Sequence, residues 1–81
     1  MTAFIHYLEW RGPLAEAELR AAAQALSRQA GFVGAELLTD PAQNLWILES
    51  RWDRPPQVVV PEGARGWAFA VTQRFSPWPP L

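Results

Sequence analysis

The chain's one histidine, His6, is the side chain whose ordinary titration lies nearest neutrality, and it stands next to the one tyrosine, Tyr7. His6 could accept a proton from a bound substrate, with Tyr7 or a tryptophan orienting an aromatic ring. Trp10, Trp46, Trp52 and Trp67 could line a cleft that stacks on a planar ligand. Each feature has a plainer alternative: a half-buried histidine bonded to a neighbour, and strand aromatics that pack in a core or a dimer. Glu9, Glu36 and Glu49 could act as bases or metal ligands only if they converged, and they share no fixed spacing. They read instead as a polar sheet face pairing with Arg11, Arg51 and Arg74, so no metal is expected. Ser27, Ser50 and Ser76 lack a glycine elbow and have a single histidine between them, which leaves nucleophilic catalysis unsupported.

Composition narrows the classes further. With 81 residues the chain has room for one core, and a domain of this size hides only about 60% of the surface its unfolded form exposes. Yet 49% of the residues are apolar and five are Trp, more greasy surface than so small a core encloses. Self-association is the expected answer. Cysteine is absent, which removes disulfides, thiol catalysis and Cys-based zinc sites and fits a reducing, cytoplasmic setting. The net charge of -1, with both signs scattered, offers no basic stripe for nucleic acid. No segment approaches the roughly 20 apolar residues of a membrane span, and no signal-peptide pattern is visible.

The elements that must position these residues follow from periodicity. Phe4 to Arg11 alternates, with Phe4, His6, Leu8 and Trp10 on one face and Ile5, Tyr7, Glu9 and Arg11 on the other, and reads as a strand. Pro13 to about Ala30 reads as a helix whose stripe is Leu19, Ala22, Ala23, Leu26 and Ala30, stopped by Gly31. Phe32 to Thr39 and Leu45 to Trp52 form a hairpin around the turn set 40–44. Trp67 to Phe75 alternates large and small and predicts a fourth strand, half buried on one side. Between strands three and four, Pro55, Pro56 and Pro61 forbid a regular helix. An extended Pro-rich strap is expected there, with Val58, Val59 and Val60 against the sheet or in a short edge strand. The reading is a single domain over 1–76 with a stiff Pro-rich tail at 77–81. One helix cannot cover both faces of a four-stranded sheet, so the face with Ile5, Tyr7, Leu38 and Ile47 is expected to meet its copy in a two-fold homodimer.

The run Gly31-Phe32-Val33-Gly34-Ala35-Glu36-Leu37-Leu38, followed by Leu45-Trp46-Ile47-Leu48-Glu49-Ser50-Arg51-Trp52-Asp53, resembles the central signature of antibiotic-biosynthesis-monooxygenase domains. That family has a "GF.G..LL" strand after its first helix and a "W" ending its third strand. The resemblance covers roughly Phe4 to Asp53 and more loosely Trp67 to Trp78. It implies an α+β, ferredoxin-like four-stranded antiparallel sheet with one long helix, here with the strap replacing the second helix, and a dimeric α/β barrel. It also implies, for some members, cofactor-free oxidation of quinol-like aromatics or heme degradation. The Asn, Trp and His of the heme-degrading branch are not reproduced: Asn44 falls in a turn, and His6 stands on strand one roughly where that Asn would be.

Two functions therefore remain open. One is a cofactor-free monooxygenase or binder of a hydrophobic aromatic, with His6 and Tyr7 catalytic and Trp10, Trp46, Trp52 and Trp67 binding. The other is a non-catalytic dimeric module that binds a ligand or a protein.

Overall fold

The computed structural model describes residues 3–75. Strand β1 (Ala3–Arg11) is followed by helix α1 (Ala15–Leu26), strand β2 (Phe32–Asp40), strand β3 (Leu45–Trp52) and strand β4 (Arg65–Val71). A 3-10 turn, Pro41–Gln43, joins β2 to β3. All neighbouring strands are antiparallel, in the order β2-β3-β1-β4. The architecture is α+β, one sheet and one helix, and its strand order is compatible with a ferredoxin-like plan.

The sheet ladder fixes which residues share a face. Phe4 pairs with Trp52, His6 with Ser50, Leu8 with Leu48 and Trp10 with Trp46, and these face α1. The helix closes over them with Leu19 and Leu26, so that Leu8, Leu19, Leu26, Leu48 and Trp52 form the buried cluster. Phe32 meets Trp52 edge to face at 5.4 Å. Burying each of these aliphatic side chains stabilises the fold by about 1.5–3 kcal/mol.

Helix α1 is shorter than the sequence suggests. Pro13 and Leu14 precede it, and it ends at Leu26. There the Ser27 hydroxyl donates to the Gln24 carbonyl at 2.7 Å, a local bond of the kind that competes with further helical turns. Residues 27–30 form a turn, which removes Ala30 from the buried stripe. Gly31 does adopt a positive φ of 90° at the end of that turn. Its carbonyl accepts from the Asp53 amide at 2.9 Å, joining the start of β2 to the end of β3.

At the β2 to β3 turn, the Asp40 carboxylate accepts from the Ala42 amide at 3.1 Å, and Asn44 takes the left-handed conformation that returns the chain. Next to the start of β2, the pairing with β3 shifts register between Phe32 and Gly34.

Strand β4 begins and ends earlier than Trp67 to Phe75. It starts directly after a turn in which the Ala64 amide donates to the Pro61 carbonyl at 3.1 Å. Its last pair is Val71 with Ala3, where the described part of β1 begins. Nor is one side of it half buried: every residue of β4 but Val71 is exposed. Trp67, Phe69 and Val71 pair with Tyr7, Ile5 and Ala3 on the face away from α1, where Trp67 is 42% and Phe69 53% exposed. Gly66, Ala68 and Ala70 are the residues on the helix side.

Between β3 and β4 the chain carries neither helix nor strand. Both strands are antiparallel to β1 and flank it, so this connection passes from one side of β1 to the other. Val58 packs against the core cluster, while Val59 is 89% exposed. No helix among the described residues is long and apolar enough to cross a membrane. The expected tail, 77–81, lies outside the described residues.

Candidate functional site

His6 is buried, at 6% exposed. Its strand partners are Ser50 in β3 and Ala68 in β4. The Ser50 hydroxyl accepts from the Trp52 indole N–H at 2.9 Å and donates to the His6 carbonyl at 3.4 Å. A buried polar chain therefore runs from Trp52 through Ser50 to the His6 backbone. It does not reach the imidazole, whose Nδ1 is buried without a hydrogen-bond partner among the described residues.

The ring tip points towards Gly66. A Cβ at that glycine would lie 3.3 Å from His6 Cε1 and 2.6 Å from Val60 Cγ2, so the glycine is required by the ring and by the connection above it. Burial lowers the His6 pKa from its ordinary value, which favours the neutral imidazole.

Trp52 is fully buried in the core cluster, with Trp46 and Trp10 packed partly buried around it on the same side of the sheet. Trp10 sits under the turn at Gly63, whose Cβ would lie 3.5 Å from the indole nitrogen. A groove of about 250 Å³ runs between α1 and the β3–β4 connection. Leu8, Leu26, Gln29, Val58 and Pro61 are among its lining residues; His6 and the tryptophans are not.

Tyr7 and Trp67 lie on the other face. They are strand partners of each other, and Tyr7 meets Phe69 edge to face at 5.9 Å. Directly across β3 from Tyr7 stands Glu49. Desolvation and the Glu49 carboxylate raise the Tyr7 pKa, which keeps the phenol protonated. Thus the residues grouped above as one aromatic site are divided by the sheet. His6, Trp10, Trp46 and Trp52 share the helix side; Tyr7 and Trp67 occupy the bare side. Adjacent strand residues point to opposite faces, so His6 and Tyr7 of one chain cannot hold the same ring.

The carboxylates also do not converge on a metal. Among the described residues no group of three or more His, Cys, Asp or Glu could hold one. Glu36 and Glu49 instead share Arg51, at 3.5 and 3.3 Å, and Glu9 pairs with Arg11 at 3.4 Å. Arg74, the third arginine expected to take part, has no salt bridge among the described residues.

Phe69, Ile5 and Val71 were not singled out by chemistry, yet they complete the bare aromatic patch around Tyr7 and Trp67. The alternation of large and small residues in β4 was the available signal. Its small members, Gly66 above all, belong where the connection and His6 come close.

No family model, no curated protein and no solved structure matches this chain.

Proposed function

We propose that the protein is a small homodimeric binding module of the antibiotic-biosynthesis-monooxygenase type, in which two copies meet through the sheet faces that α1 leaves uncovered. The observation that carries this reading is the bare face itself. Ile5, Tyr7, Leu38, Ile47, Trp67, Phe69 and Val71 lie on it, and two of its aromatics are roughly half exposed. Exposed aromatic surface such as that of Trp67 and Phe69 marks an association site.

Size suits a second copy. Four strands about 4.8 Å apart and roughly seven residues long span about 19 by 24 Å. That flat footprint of about 460 Å² is more than half of the roughly 800 Å² of accessible surface that each partner gives to a standard interface, before side-chain relief is added. Introducing carboxylates at the centre of the apolar patch tests the reading. Trp67→Glu combined with Phe69→Glu is expected to convert a dimer to a folded monomer in size-exclusion chromatography with light scattering. A dimer unaffected by both charges would refute it.

A second reading is favoured by one specific feature, the buried imidazole whose Nδ1 has no hydrogen-bond partner among the described residues. Here the domain binds a hydrophobic, quinol-like aromatic on the helix side of the sheet, with His6 serving as proton acceptor. The β3–β4 connection then acts as the Pro-rich strap over the site. Cofactor-free oxygenation would follow only if a bound phenol gave its proton to His6. If His6→Ala left aromatic binding and quinol oxidation unchanged, this role would be lost; a heme titration followed by absorbance tests the heme branch separately.

A further inference from the structure

Every element packed around the His6 ring presents it with an apolar group or one already committed elsewhere. On its own strand the same face carries Phe4 and Leu8. From β3 comes Ser50, whose hydroxyl accepts from the Trp52 indole and donates to the His6 carbonyl. From β4 come Gly66 and Ala68, and the β3–β4 connection brings Val60 against Gly66. Helix α1 turns Leu19, Ala22, Ala23 and Leu26 to this side of the sheet. The charged residues of the connection, Asp53, Arg54 and Glu62, are exposed, and His6 enters no ion pair among the described residues. Protonating the imidazole would therefore bury a charge where no carboxylate pairs with it and where Nδ1 has no partner among the described residues.

Such a charge is solvated only by reaching water, so the cover that yields at least cost decides the outcome. Helix α1 is anchored by Ala15, Leu19 and Leu26, all buried. Strand β4 is held to β1 by a ladder that runs from the Ala3 and Val71 pair to the Glu9 and Arg65 pair. The connection has neither helix nor strand, and its backbone hydrogen bonds among the described residues lie at its ends, from Asp53 to Gly31 and from Ala64 to Pro61. Between those ends Val58 packs on the core, whereas Val59 and Val60 are exposed. A segment with so few buried contacts and backbone bonds opens locally at far less cost than global unfolding.

We infer that the β3–β4 connection is an acid-released cover: protonation of His6 lifts Val58 and Val60 off the sheet and opens the groove beside α1, while the helix and the strand ladder stay in place. The device lies on the helix side and needs neither the homodimer nor an aromatic ligand. Burial lowers the pKa of the covered imidazole, so the open form, with its ring in water, takes the proton first. The closed form is fully favoured above about pH 6.5. Below that the opening equilibrium rises by up to about tenfold per pH unit, until the closed form protonates as well.

The chain has no cysteine, so single introduced thiols report the opening. Val58→Cys places one at the packed position and Val59→Cys places one beside it in solvent. The rate of reaction with a pyridyl disulfide at the first, divided by the rate at the second at the same pH, cancels the pH dependence of the reagent. This ratio is expected to rise roughly tenfold between about pH 7.5 and about pH 5.5, and to stay flat when His6→Phe is added. Ala35→Cys, in the groove between α1 and β2, is expected to show no rise. Should Val58→Cys itself loosen the connection at the higher pH, Ala22→Cys lines the same groove from α1 and gives the reading with the connection unchanged. A flat ratio, a rise that survives His6→Phe, or an equal rise at Ala35→Cys, which would mean that the whole domain unfolds, overturns the inference.

Discussion

Along strand β1 each residue belongs to one of two different environments. His6 and Leu8 are buried beneath α1 and the β3–β4 connection, while Ile5 and Tyr7, one position away, lie on the uncovered side. The same contrast separates two tryptophans, Trp52 at 1% and Trp67 at 42% exposed. Residue type does not distinguish them. What differs is whether an element of the same chain packs on their side of the sheet, so stability should reside on one face and association on the other.

The largest expected effect breaks the covered side. Trp52→Ala removes the biggest fully buried side chain and leaves Ser50 without its indole donor. A loss of about 3–5 kcal/mol is expected in urea unfolding. Trp67→Ala, measured at concentrations where the chain is monomeric, should change stability by no more than about 0.5 kcal/mol. If the two substitutions cost the same under that condition, the division of labour between the faces is wrong.

A smaller effect sharpens the comparison through pH. The folded pKa of His6 lies below its unfolded value of about 6.5, so the unfolded chain takes up the proton first. Stability is therefore full above that pH and falls as pH drops below it, until the folded form also protonates. Denaturation midpoints compared between slightly alkaline and mildly acidic buffer should show this slope in the wild type. His6→Phe should flatten it, whereas removal of Tyr7 on the other face should not. The smallest effect lies outside both faces: Asp40→Ala removes the carboxylate that holds the β2 to β3 turn and should cost about 1 kcal/mol by thermal unfolding.

Much of the frame was legible in the sequence because alternation reports strands directly. Phe4 to Arg11 and Leu45 to Trp52 stand where period-two patterning puts them, and Leu19, Ala22, Ala23 and Leu26 form the helix stripe. Helix ends were less legible, since an alanine-rich segment has no break in pattern to mark them; Ser27 supplies the stop through a local hydrogen bond. The limits of β4 depend on β1, its partner, and a strand's own residues cannot show how far a partner extends. The exposure of β4 is illegible for a related reason, since α1 packs on β3, β1 and β2. Alternation says that two faces exist, but which one α1 covers is decided by helix packing and by the close approach of Val60 and His6 to Gly66.

The candidate site was legible residue by residue and not as an assembly. His6, Tyr7 and the tryptophans were the right groups to inspect, and the pleat of the sheet then placed them on opposite sides. Sequence spacing shows that His6 and Tyr7 must diverge, whereas the separation of Trp67 from Trp10, Trp46 and Trp52 needs the strand register.

Sedimentation equilibrium of the wild-type chain at micromolar concentration tests the two-sided account most directly. A species of twice the 9.1 kDa chain mass is expected, dissociating when charge is placed at Trp67 and Phe69. A single species of 9.1 kDa across that range would mean that the aromatic face stays in water, and would contradict the account.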